Sequence, residues 1–345
     1  MSYTNHDELL DRMTPYGCVL KSYLSNHTPM VVEALAAMDA ADEAIEWFDK
    51  NEDTILPKPP SQAPIQAEQW REHLADHSRF SDWVDFFNAE ISEDGWRLCT
   101  QRWVTRLSEG FISAACHGVI RVGHAVRALT VAETEARLRE LSYALASWCV
   151  SYMAVAAVEP QIGPFNGESL IRNLPLLDSS LRENDGSITR AIEQLHHAPR
   201  ILSTCNELSI DHPKQDLIAI AKVAASVFLN NAKTPLGAIV FTHGITGTAA
   251  SLHLTPLLNE DEQRTIAAYT FQAILALHAV YAEKPLEDHQ QVKVPTPEAS
   301  RDAAISHGDD HAIKLTEACV LFYRLSGDEI FLAAADLGRD LIPAT

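Results

Sequence analysis

The chain has 345 residues, 46% of them hydrophobic, with 27 Lys and Arg against 47 Asp and Glu and a formal net charge of −20. That length allows one large domain or two ordinary ones with a sizeable core, and so acidic a surface repels phosphate backbones, which argues against a nucleic-acid partner. The cysteines Cys18, Cys99, Cys116, Cys149, Cys205 and Cys319 are scattered with no CxxC pair, so they are expected as buried free thiols of a protein in a reducing cytoplasm.

The N-terminal stretch MSYTNHDELLDRM has no basic region followed by an apolar one, so no signal peptide is expected. Apolar residues at helical spacing then predict helices over 30–50, 67–77, 81–91, 108–128, 133–158, 187–196, 214–230, 237–251, 259–282, 310–325 and 328–337. Thr28-Pro29 marks the start of the first, a cap residue before proline at the first helical position. The four prolines of 53–66, DTILPKPPSQAPIQ, predict an extended surface connection. LSYALASWCVSYMAVAAV (141–158) is about long enough to cross a bilayer. Its serines and tyrosines, and the charged ETEARLRE before it, predict a central helix of a soluble protein instead, with no membrane partner. LGAIVFTHGIT (236–246) is the one place for a strand, and its Ala- and Gly-rich continuation favours a helix. KPLEDHQQVKVPTPE (284–298) holds three prolines and reads as a second surface connection. With strand signals poor and no internal repeat, the expected fold is all-α, a single large helical domain over 1–345 with a metal site between helices.

The metal expectation rests on the histidines, fifteen in all. His6, His196, His197, His212 and His289 lie in polar or loop-like surroundings and read as surface. His73 and His77 in HLADH have the spacing of a zinc-protease helix, but Leu74 stands where the glutamate is needed, so they are weak ligand candidates. His27 (LSNHTPMVVEAL), His117 (SAACHGVIRVGHAVRAL), His243 (IVFTHGITGTAA) and His311 (DDHAIKLTEA) sit in apolar or glycine-rich contexts. Each alone reads as a hydrogen-bonded core histidine. As a set, beside small residues that permit close approach, they predict a shared metal, and imidazole suits iron, zinc, copper or nickel alike. His117, Arg121 and His124 share one helix face, three basic groups that need an anion, a metal or polar substrate groups opposite. Lys314 lies three residues after His311 on the same face. It is either a lysine snorkelling to solvent or a buried amine of lowered pKa. A neutral amine adds carbon dioxide, and the carbamate would ligate the ion beside His311. His307 competes for the ligand role, although Gly308 weakens the helix between it and His311.

The fragments SNHTPMVVEAL, HGVIRVGHAVRAL, FTHGITGTAA and DDHAIKLTEA, in this order between about residues 22 and 325, resemble the questin oxidase-like family. Its members include fungal enzymes that oxidatively open anthraquinone and related aromatic polyketide rings. The resemblance implies a non-haem iron(II) oxygenase with O2 as co-substrate, an aromatic or quinol-type small-molecule substrate, and iron held by His27, His117, His243, His311 and a carboxylated Lys314. It implies that Asn26, Arg121, His124 and Thr246 orient those ligands or hold a substrate enolate or phenolate, with Arg121 and His124 as catalytic candidates and Arg121 as the anion partner. Arg121 stands where fungal members tend to have histidine, and His124 where they tend to have an aromatic residue, so the fungal substrates do not carry over. The alternatives are a flavin- or NADPH-dependent Baeyer–Villiger oxygenase, a di-iron carboxylate bundle and a non-catalytic helical ligand-binding protein. No GxGxxG supports the first as a bound-dinucleotide enzyme, though an external reductant is compatible with it. One Glu-x-x-His, Glu193–His196, is too few for the second. Basic groups converging on apolar faces are more than the third needs.

Overall fold

The computed structural model describes residues 3–178, 182, 187–287 and 294–345. Helix α1 (His6–Arg12) leads into strand β1 (Tyr16–Leu20), then α2 (Thr28–Ala37), α3 (Ala41–Asn51) and β2 (Ile55–Pro57), which pairs antiparallel with β1. There follow α4 (Phe80–Asp94), α5 (Trp96–Leu107), α6 (His117–Val131) and α7 (Glu135–Val150), the short α8 (Gly167–Arg172), α9 (Ile188–Glu193) and α10 (Pro199–Ser203), and the long α11 (Pro213–Asn231), α12 (Pro235–Leu254) and α13 (Glu260–Tyr281). Helices α14 (Pro297–His307), α15 (Asp310–Ser326) and α16 (Ile330–Leu341) complete an all-α fold whose sheet, among the described residues, is that one short ribbon.

Local chemistry sets these boundaries. Thr234 and Thr296 cap α12 and α14, each followed by proline in the first turn, and Asn259 with Glu262 makes a capping box for α13. Asp309 caps α15 by accepting from the backbone N–H groups of His311 and Ala312.

Several expectations are corrected. The run 30–50 is two helices, broken where Asp39 takes a left-handed φ of 59°. Residues 67–77 form no α-helix. His73 and His77 fall on separate 3-10 turns with left-handed Ala75 between them, so they do not share a helix face. The helix expected from 108 begins at His117, and that expected to reach 158 ends at Val150. The ribbon, five residues against three, is too short for a period-two pattern to register. Helices α1, α5, α8, α10 and α14 also lie outside the expected runs. His6 is buried rather than at the surface, whereas His196, His197 and His212 are exposed; His289 lies outside the described residues, as does 288–293 of the second proline-rich stretch. All six cysteines are free and buried. Among the described residues no helix is long and apolar enough to cross a membrane.

The core is built on fully buried Trp83, Trp103, Trp148, Phe228 and Phe271, and a smaller apolar cluster joins α1, α2 and α3. Through it run α2, α6, α12 and α15, all in the same direction. His117 meets His243, and ten residues later Arg127 meets His253, so α6 and α12 advance together. Gly123 permits that contact: a Cβ there would stand 2.6 Å from Ala250 Cα.

Candidate metal centre

The four parallel helices each bring one histidine to the same level. His27 immediately precedes α2, His117 is the first residue of α6, His311 the second of α15, and His243 lies in the third turn of α12. Their rings form one cluster. His27 stacks on His117 with centroids 4.5 Å apart, His27 meets His311 edge-on at 4.7 Å, and His243 lies 4.7 Å from His117 and 5.6 Å from His311. One ring nitrogen from each of His27, His117 and His311 falls within 4.8 Å of the others.

Every one of these rings is fixed through Nδ1. The Nδ1 atoms of His27 and His311 bond the two oxygens of Asp310. His117 Nδ1 donates to Ala114 O, and His243 Nδ1 donates to Val240 O at 3.3 Å. Carbonyl and carboxylate oxygens only accept, so the proton belongs on Nδ1 and Nε2 is left as a bare donor atom, the usual support for a metal-binding imidazole. Burial keeps His27, His117 and His243 neutral. It lowers His27 to about 4, against the pull of Asp310, and holds His117 and His243 well below the ordinary value. Burial raises Asp310, but His27 and His311 outweigh it and hold the carboxyl well below its usual range.

The consequence is legible at His117 and His243, whose Nε2 atoms face each other at 3.4 Å. With both Nδ1 atoms protonated, two lone pairs point at one another, which is repulsive unless a cation lies between them. Two nitrogens bound to one ion at about 2.1 Å stand roughly 3 Å apart, so the residues present fit a transition metal.

The surrounding field raises a second requirement. Three helix N-termini, those of α2, α6 and α15, end at the cluster, and each carries partial positive charge. Imidazole ligands carry no negative charge to offset a dication there. Asp310 supplies one negative charge, and Lys314 stands beside the cluster. Lys314 is 3% exposed, and no acceptor among the described residues bonds its Nζ. Burial lowers its pKa despite Asp310 and Asp309, and its charged form disfavours protonation of His27, His117 and His243.

The segment before His117 is strained. Ala114, Ala115 and Cys116 take successive φ values of 47°, 56° and 68°, a left-handed turn without glycine. It ends the chain's previous direction, starts α6 at the histidine and leaves Ala114 O where His117 Nδ1 reaches it.

The other expected residues lie as follows. Asn26 spends both ends of its amide on backbone, donating to Gly17 O and accepting from Thr28 N–H at 3.0 Å each, and so ties the start of α2 to β1 and sets His27 between them. Arg121 turns toward α7, where Nε and Nη2 make a two-pronged bond to Glu140 at 2.7 and 2.9 Å; Nη1 is buried without a partner among the described residues. His124 turns toward α2 and donates to Glu33 at 2.6 Å. Thr246 donates to Thr242 O on its own helix. His307 bonds Ile342 O at 3.0 Å, beyond the left-handed Gly308. The acidic partners Glu33, Glu140 and Asp310 were not anticipated. Their signal was a single carboxylate inside an apolar run, as in VVEALAA and RELSYAL, and the Asp that precedes His311.

Fold and site together define a helical protein around a buried histidine-rich centre whose donor set suits a metal ion. A model of the questin oxidase-like family matches residues 24–319, and the chain belongs to that family, a group of oxidases named for an aromatic polyketide. No curated protein matches the chain.

Proposed function

We propose that the chain is a non-haem iron(II) oxygenase that uses O2 to oxidise an electron-rich aromatic or quinol-type small molecule, with oxidative ring cleavage as the outcome. The observation that carries this reading is the set of four imidazoles, each fixed at Nδ1, with two bare Nε2 atoms facing each other at 3.4 Å. His27, His117, His243, His311 and a carboxylated Lys314 would hold the iron. When bound, the iron supplies the position at which O2 is activated. The protein's share is the rest. The Nδ1 acceptors fix the tautomer and aim the rings, and the helical walls that bury them exclude bulk water. Carbon dioxide addition to the neutral amine leaves an anionic carbamate in place of a side chain whose charged form repels a dication. Arg121 has Nη1 to offer a substrate oxyanion, since Glu140 occupies its other edge.

Metal analysis of untagged protein purified without oxygen tests the reading. The expected result is about one iron per chain, lost in His243→Ala, and oxygen uptake with hydroxylated aromatics. Zinc in place of iron, or no metal, overturns it. Arg121→Ala with unchanged turnover and substrate affinity removes the anion role alone.

A further inference from the structure

About two to three turns beyond the imidazoles, the same four helices hold a second buried polar layer. Arg127 of α6 bonds Glu33 of α2 through Nε at 2.8 Å and through Nη2, and its Nη1 bonds Glu317 of α15 and approaches His253 Nε2 of α12 at 3.3 Å. Tyr3 donates to Glu33 from the N-terminal segment. Two carboxylates against one guanidinium leave this layer one positive charge short.

His124 sits at the inner edge of the layer. Its Nδ1 donates to Glu33 at 2.6 Å, so its Nε2 is bare, and no partner for Nε2 occurs among the described residues. Between the two layers lies a cavity of about 10 Å³ lined by His124, Thr246, His253, Lys314 and Glu317, room for about one water. An imidazole held at one nitrogen by a buried carboxylate, in the wall of a water-sized cavity that it shares with Lys314, has the makings of a general base.

We infer that the Glu33–His124 pair is the internal base for carboxylation of Lys314, an inference that rests on the reading of Lys314 given above. The neutral Nζ attacks the carbon of carbon dioxide. An N–C bond forms, one C=O electron pair moves onto oxygen, and the proton lost from nitrogen passes through the cavity water to His124 Nε2. The products are a carbamate and an imidazolium, and nothing is oxidised or reduced. The imidazolium supplies the positive charge the Arg127 layer lacks. Glu33 is a positioning residue that fixes the tautomer of His124. The other titratable groups about His124 are His6, Arg127, His253, Lys314 and Glu317, with Tyr3 bonded to the same Glu33.

The test is timed incorporation of isotope-labelled bicarbonate into the full-length chain, with the carbamate trapped by O-alkylation and read at Lys314 by peptide mass spectrometry. In the wild type, labelling at fixed pH is expected to be independent of buffer concentration. His124→Gln, checked for folding by circular dichroism, is expected to label about 100-fold more slowly, and added imidazole to restore part of the rate. A wild-type rate that climbs in proportion to buffer overturns the internal base, whether or not the variant folds. So does a folded His124→Gln that labels as fast as wild type; in either case a labelled Lys314 leaves the carbamate itself standing. No label at Lys314 in the wild type removes both.

Discussion

A single carboxylate, Asp310, fixes two of the four imidazoles, because its two oxygens take the Nδ1 protons of His27 and His311. Among the described residues no other acceptor comes as close to either Nδ1, the Asp309 carboxylate standing 3.9 Å from that of His311. Asp310→Asn keeps the shape but removes that charge, and its amide nitrogen cannot accept from an imidazole N–H. Metal affinity is expected to fall roughly 10- to 100-fold, read by competition against a chromophoric chelator. Affinity within a factor of two of wild type would show that the rings are oriented by packing alone. The ligand histidines were visible in the sequence because each stands beside small residues in an apolar run. Their partners were not, since a carboxylate four helices away in the chain, as Glu33 is from His124, leaves no local spacing to read.

Among the elements, the informative ones are the helices that start at a ligand. Sequence periodicity places an apolar run over 108–128, but periodicity measures only which residues face inward, and it does not see backbone handedness. The left-handed turn at Ala114, Ala115 and Cys116 therefore shortens the helix to begin at His117, and that places its positive end against the cluster. The α6–α12 contact was hinted at by glycine in both helices, yet only the structure assigns Gly123 to it. Gly123→Ala would set a Cβ 2.6 Å from both Cα and Cβ of Ala250, backbone that has no free rotamer to yield. The expected cost is about 1–3 kcal/mol, seen as a lower urea midpoint. Separation of α6 from α12 should also widen the gap between His117 and His243 and reduce bound metal. Unchanged midpoint and metal content would mean that the two helices slide without penalty.

For the molecule as a whole, the buried neutral histidines dictate how stability depends on pH. Burial lowers His6 and His27 to about 4, and also His278, whose two ring nitrogens have no partner among the described residues. Burial also holds His117 and His243 well below the ordinary value. In the unfolded chain these rings titrate at about 6.5. Between that value and 4 the unfolded state binds more protons than the folded one, so stability is fully present above about 6.5 and falls as pH drops. Each ring contributes a slope of about 1.4 kcal/mol per pH unit within that window. Urea midpoints of the metal-free chain should be flat from pH 8 to 7 and fall steeply below 6.5. A midpoint that holds steady down to pH 5 would mean the rings are solvated or already charged.

By itself the sequence determined the helical class, the burial of the cysteines, the identity of the four histidines and Lys314 as the unusual residues, and the family to which they belong. These depend on residue type and short-range spacing, which a linear pattern carries. Only the tertiary structure decided that α2, α6, α12 and α15 run in one direction, that their histidines meet at one level with every Nδ1 restrained, and that Arg121 and His124, neighbours on one helix, turn to Glu140 and Glu33 on different sides. Those facts depend on which helices pack together and in what register, and that is fixed by the summed burial of surfaces far apart in the chain.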